Sequence, residues 1–159
     1  MIKNIKNISI FIFIASMLLV SCGFKKINQN EISPIYIQNL NIIGDVRDGY
    51  ILKNNILLIS NKNANNRYEI EINLKKNTIN KIKDTTGKVT RYNTVISAKV
   101  TLKNIDNLKI INKTFTKNYD YDVAKEHSQT IINAKEATSN IIQQISNDII
   151  NFITLFIKN

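Results

Sequence analysis

RYEIEINLKK (residues 67–76) and KVTRYNTVISAKVTLKN (88–104) carry the clearest period in this 159-residue chain. In the first stretch Tyr68, Ile70, Ile72 and Leu74 alternate with Arg67, Glu69, Glu71 and Asn73. In the second, Thr94, Ile96, Ala98, Val100 and Leu102 share one parity, and Val95, Ser97, Lys99, Thr101 and Lys103 the other. Successive side chains of a strand point to opposite sides, so this alternation marks two half-buried strands. KDTTGK (83–88) lies between them and reads as a turn, with Gly87 at the position that needs a positive φ. The two stretches therefore form a hairpin whose apolar face requires a cover.

Working outward, NIDN (104–107) is a second hairpin turn, and LKIINKTFTKNYDY (108–121) reads as a further strand. Its buried face is open in the sequence, because Ile111, Phe115 and Tyr119 share parity with Lys113 and Lys117, and a bulge would shift the register. Asp120 and Asp122 read as solvated residues leading into a helix. From about Val123 to Ile157 there is no proline or glycine, and Ala134, Ala137, Ile141, Ile145, Ile149, Phe152 and Phe156 recur at helical spacing. A coiled coil or a membrane-surface helix would show the same stripe, but the preceding strands need a cover and this helix supplies one. Upstream, Pro34 opens PIYIQNLNI (34–42), a strand with Ile35, Ile37 and Asn39 on one side and Tyr36, Gln38 and Leu40 on the other. GDVRDG (44–49) is a turn with Asp48 as a helix cap, and YILKNNILLIS (50–60) places Leu52, Ile56 and Ile59 at helical spacing beside Leu57. The order β-α-β-β-β-α predicts an α+β two-layer sandwich. A four-stranded mixed sheet, with the first helix as crossover, carries both helices on one face.

The N-terminal stretch has a different character. MIKNIKN (1–7) is basic, ISIFIFIASMLLV (8–20) has no charge, and Ser21 precedes Cys22, the only cysteine. These are the parts of a secretory signal peptide, and the apolar run is shorter than the about 20 residues a spanning helix needs. LVSC (19–22) matches the lipobox of bacterial lipoproteins. The expectation is a signal peptide over 1–21, lipid attachment at Cys22, a lipidated tether over 22–33 and one domain over 34–159. One acyl chain binds a membrane only marginally, whereas two or more hold it firmly, so Cys22 is read as an anchor. Gly23, where an Asp would favour retention in the inner membrane, favours the outer one.

The formal charge of +10 includes Lys3 and Lys6 of the signal segment. An exported chain does not meet the genome, so no nucleic-acid partner is expected. The skew toward Ile, Asn and Lys also matches AT-rich coding. The remaining basicity suits a phosphate-bearing envelope partner such as lipopolysaccharide. His127 is the only histidine, so no histidine cluster is available for a metal. No nucleophile elbow or phosphate loop is present. The expectation is no enzyme, no metal and no cofactor. One cluster remains: Lys75, Lys76, Lys81, Lys83, Lys88 and Arg91 gather around the hairpin, with Asp84 as the only acid over 75–91. It reads either as an anion site, Arg offering a fork and Lys a point charge, or as a solvated lysine-rich loop. Val89 and Val95, turned away from the helices, give the second sheet face some apolar character and point to a partner there.

Taken together, the chain resembles the LptE family of lipopolysaccharide-assembly lipoproteins, in its alphaproteobacterial form. The resemblance is carried by LVSCGF (19–24), TTGKVTRYNTVISAKVTL (85–102), NYDYDVA (118–124) and the final helix. It implies a non-enzymatic outer-membrane protein that plugs the LptD β-barrel, helps it assemble and takes part in delivering lipopolysaccharide to the outer leaflet. It also implies lipopolysaccharide contact by basic residues of the sheet and hairpin, which by position are Arg91 and the nearby lysines. The residues alone leave two other classes open: another envelope lipoprotein acting as a binding or scaffold module, and a lipoprotein enzyme with an illegible site.

Overall fold

A computed structural model describes residues 35–158. The expected signal peptide (1–21), Cys22 and the expected tether (22–33) lie outside the described residues. The elements are β1 (Ile35–Ile43), α1 (Val46–Leu57), β2 (Asn66–Lys83), β3 (Val89–Asn104), β4 (Ile110–Asp122) and α2 (His127–Lys158). The four strands lie in the order β1-β2-β3-β4. β1 runs parallel to β2, and the other two pairings are antiparallel. The predicted mixed sheet and α+β order are observed.

The alternation of β2 and β3 translates directly into burial. Tyr68, Ile70, Ile72 and Leu74 are buried, as are Thr94, Ile96, Ala98, Val100 and Leu102. Both sets face α1 and α2, whose Leu52, Ile56, Ile141, Ile145 and Ile149 complete the core. Each fully buried side chain of this size contributes about 1.5–3 kcal/mol relative to exposure, so this seam dominates the fold over any surface ion pair. α2 buries more than the expected stripe, with Ile142, Ser146 and Ile153 also inaccessible. The reason is α1: α2 packs on the sheet and on its sister helix at once, and the Asn55 amide donates to Ser146 Oγ at 3.1 Å.

Three local expectations are corrected. β1 carries a bulge, because Ile37 pairs with Tyr68 while Asn39 pairs with Glu69, leaving Gln38 as an extra residue. One extra residue inverts parity, so Leu40, rather than Asn39, is buried. The cap of α1 is Asp45, rather than Asp48: its Oδ1 accepts the Asp48 amide at 2.9 Å. That bond holds the Asp45 carboxyl below the ordinary carboxylate range. α2 starts at His127, since Val123 N–H still donates to Thr90 O at 2.9 Å in continuation of the sheet.

The unassigned face of β4 is also settled. Its pairing with β3 is regular, with Phe115 opposite Ala98, Lys113 opposite Val100 and Lys117 opposite Ile96. The odd-numbered residues therefore face α2. Phe115 is buried and meets Phe152 edge-on at 5.8 Å between ring centroids. Lys113 lays its ammonium over the Phe152 ring at 5.1 Å, and Lys117 reaches Asp148 at 2.8 Å. The lysines that obscured the pattern are on the core side, with their charged ends carried to its margin.

Candidate functional site

β2 and β3 extend beyond their core-forming halves. β2 runs on to Lys83, and every residue from Lys75 to Lys83 is exposed. The hairpin ends in a turn that Asp84 organises: its Oδ1 accepts the Thr86 and Lys88 amides at 2.9 and 3.0 Å. The hydrogen bond from the Thr86 hydroxyl, chiefly, lowers the Asp84 carboxyl below its ordinary range. Gly87 takes φ 85°, as its place in the turn requires.

The six basic residues singled out by sequence divide into three groups. Lys76 points to the helix side, where its Nζ meets the buried Asp48 of α1 at 2.8 Å. It neutralises a carboxylate that the core would otherwise hold unpaired, and so belongs to the fold. Lys81 and Arg91 lie on the open face and are already engaged. Lys81 pairs with Asp120, and Arg91 Nε meets Asp122 Oδ1 at 2.5 Å. Asp120 also accepts from the Asn93 amide at 2.6 Å. The Lys81 bond and then the Asn93 bond lower the Asp120 carboxyl, and the Asp122 bond raises the Arg91 guanidinium above its ordinary value. Asp120 and Asp122 are thus partners of the hairpin rather than merely solvated. The third group, Lys75, Lys83 and Lys88, has no carboxylate partner among the described residues.

The sheet face turned away from the helices is more polar than Val89 and Val95 implied. The β3 row there runs Arg91, Asn93, Val95, Ser97, Lys99, Thr101 and Lys103, opposite Asp122, Asp120, Asn118, Thr116, Thr114, Asn112 and Ile110 of β4. Hydroxyls and amides bond across it, with Thr116 Oγ1 to Ser97 Oγ at 3.1 Å and Thr101 Oγ1 to Asn112 Oδ1 at 2.7 Å. Val95 stands between Asn77 and Asn118. Asn73, Lys75, Ser97, Lys99 and Thr114 line a shallow hollow on this face. Two cations, two hydroxyls and an amide there offer donors to an anion and no carboxylate to repel it. Sequence reasoning passed over Lys99 because it lies 24 residues from Lys75 along the chain, and only the β2–β3 register brings the two together. Among the described residues no three His, Cys, Asp or Glu side chains gather to hold a metal, and no helix is long and apolar enough to cross a membrane.

Residues 37–154 match the family model LptE, described as lipopolysaccharide-assembly. No curated protein matches the sequence. Among solved structures, a lipoprotein B of Nitrosomonas europaea is similar at 13% identity and TM-score 0.57, over 86% of this chain and 94% of that one. A lipoprotein of Caulobacter crescentus is similar at 14% identity and TM-score 0.54, over 82% and 94% respectively. At such identities the likeness is one of fold.

Proposed function

Since this chain belongs to the LptE lipopolysaccharide-assembly family, we propose that it is an outer-membrane lipoprotein that seats inside an LptD-like β-barrel, assists its assembly and helps pass lipopolysaccharide to the outer leaflet. The family works in lipopolysaccharide transport without catalysis of its own. The observation that carries the reading is the uncovered sheet face. Large outer-membrane barrels have polar interiors. A plug for one must present a largely polar surface, and the face of β3 and β4, with its Asn, Ser and Thr side chains bonded across the strands, is such a surface. An ordinary soluble domain exposing this sheet would have the same pattern, so the decisive measurement is partnership. The tagged chain, extracted from outer membranes, is expected to bring down a large β-barrel identified by mass. Recovery without one would favour a stand-alone binding or scaffold module.

Val95 gives a sharper test of the same face. Val95→Asp places a carboxylate between Asn77 and Asn118, on the half-buried side chain that faces away from the helices. The melting temperature is expected to stay near that of the parent, since surface changes lie mostly within about 0.5 kcal/mol. A wall of the barrel would strand the charge, and loss of one partner's solvation costs several-fold to many-fold in affinity. A variant that melts early would place Val95 in the core; one that assembles normally would take the barrel off this face.

For lipopolysaccharide the contact is assigned first to Lys75, Lys83 and Lys88, joined by Lys99 in the hollow. Lys81 and Arg91 contribute once a phosphate displaces Asp120 or Asp122, and Lys76 is held by Asp48. Each unpaired lysine near an anionic lipid surface attracts it by about 1 kcal/mol. Replacing Lys75, Lys83, Lys88 and Lys99 together by Ser is expected to weaken lipopolysaccharide binding at low salt by at least about tenfold, on the scale of about 1.4 kcal/mol per decade. The deficit should shrink as salt shortens the screening length to roughly 10 Å at 0.1 M. The pair Lys81→Ser with Arg91→Ser is expected to lose less. The reverse ranking would transfer the contact to Arg91 and Lys81, and equal binding by all three proteins would leave the hairpin a solvated loop.

A further inference from the structure

The end of the sheet opposite the basic hairpin carries a rim of apolar side chains left exposed among the described residues. Leu58, at the C-terminal cap of α1, is 80% exposed; Leu108, in the β3–β4 turn, 69%; Ile110, at the start of β4, 57%; and Leu155, in the last turns of α2, 64%. The topology puts all four at one end. Ile35 opens β1 beside Asn66, the first residue of β2, and the parallel bridge from Ile35 to Ser60 brings the end of α1 there. Lys109 lies over the Phe156 ring at 4.8 Å, which ties the start of β4 to the end of α2.

Leu108 is the most informative of the four. It holds φ 58°, a left-handed conformation that side chains like leucine seldom adopt and that asparagine tolerates. Asn107 stands next to it and its side chain accepts the Lys109 amide at 3.0 Å. The turn therefore spends backbone strain to present a leucine to solvent. Strain kept at an exposed apolar residue points to a use for the residue beyond the fold.

We propose that this rim seats the domain on the phospholipid surface into which the Cys22 lipid is inserted. The proposal rests on the reading of Cys22 as the anchor. Chain length favours this end over the other. The 12 residues between Cys22 and Ile35 reach about 40 Å fully extended, at about 3.3–3.6 Å per residue. β2 alone, with 18 residues, is about 60 Å long at about 3.3 Å each. An anchored domain cannot stand on its hairpin tip, but it can rest on the end from which the tether leaves. Charge agrees with the assignment, because Lys62 and Lys109 flank the rim without carboxylate partners among the described residues, as suits anionic headgroups.

The chain contains no tryptophan, so a single one reports its own surroundings. Chains expressed from the whole sequence, purified in their cell-processed form and bearing Leu108→Trp, Leu155→Trp or Ile82→Trp are incorporated into phosphatidylglycerol-containing vesicles with brominated acyl chains. Leu108→Trp and Leu155→Trp are expected to shift to the blue and lose most of their emission to the bromines. Ile82→Trp, on the hairpin, is expected to keep its emission. A chain that fails to float with the vesicles refutes the anchor, and the rim with it. A floating chain whose Leu108→Trp emission stays solvent-like refutes the rim alone. A blue shift that appears only after a β-barrel protein is added overturns the lipid assignment in favour of a protein partner. Leu108→Asn separates the rim from the fold: it is expected to melt no lower than the parent, and a lower melting temperature would make Leu108 structural.

Discussion

Gly44→Ala is expected to remove about 3–5 kcal/mol of stability, in the range where single changes become diagnostic. Gly44 turns the chain from β1 into the Asp45 cap of α1 with φ 135°, a conformation that L side chains rarely adopt. A Cβ built there lies 2.3 Å from the carbonyl oxygen of Leu74 and 3.1 Å from its Cβ. Backbone strain alone costs about 1–3 kcal/mol. The clash adds to it, because the obstacle is the backbone of a central strand and cannot swing aside as a side-chain tip can. Domains of this size have only about 5–15 kcal/mol to lose, so the crossover is expected to detach before the hairpin does. Urea unfolding of the purified chain checks this, with Gly87→Ala as the control. Gly87 also has a positive φ but nothing within 4 Å of its Cβ, so its loss is expected near 1 kcal/mol. Equal losses at the two sites would mean that the close approach to Leu74 carries no cost.

Cys22→Ser is expected to abolish lipid attachment to the chain almost completely. On the lipobox reading Cys22 carries the lipid, and the sequence holds no second cysteine to take its place. A single acyl chain gives marginal binding and two or more give firm binding, at about 0.8 kcal/mol per buried CH₂. The rim at the base of the sheet can orient an anchored domain but cannot replace that energy. The measurement is phase partition after metabolic labelling with a fatty acid. The parent should carry label into the detergent phase, and the serine variant should remain unlabelled and unprocessed. Equal labelling of the two would remove the lipobox reading and the tether-length argument together. This effect is independent of fold stability, so the serine variant should unfold in urea like the parent.

The two predictions rest on different kinds of information. The element order and the faces of β2 and β3 are local properties. Strand alternation is dictated by backbone geometry over a few residues. Those features, with the long uninterrupted helix, were legible without any knowledge of what packs on what. So was the positive φ at Gly87, because its turn is local too.

What only the tertiary structure decided concerns residues whose partners lie far along the chain. The buried face of β4 could not be read while Lys113 and Lys117 interrupted it, because Phe152 and Asp148 come from a helix about 30 or more residues away. Leu40 replaces Asn39 in the core through one extra residue at Gln38, and a bulge leaves no mark in composition. The basic hairpin looked uniform in sequence. Asp48, Asp120 and Asp122 then divided it into a structural lysine, two engaged cations and a set without acidic partners among the described residues. Charge patterns along a chain state what is present, whereas register states what is opposite. An ion's chemistry depends on the second, because attraction between exposed charges is screened over roughly 10 Å at 0.1 M salt. The same distinction accounts for Lys99 and for the apolar rim, each assembled from segments that only the strand order β1-β2-β3-β4 and the two helices above it bring to one place.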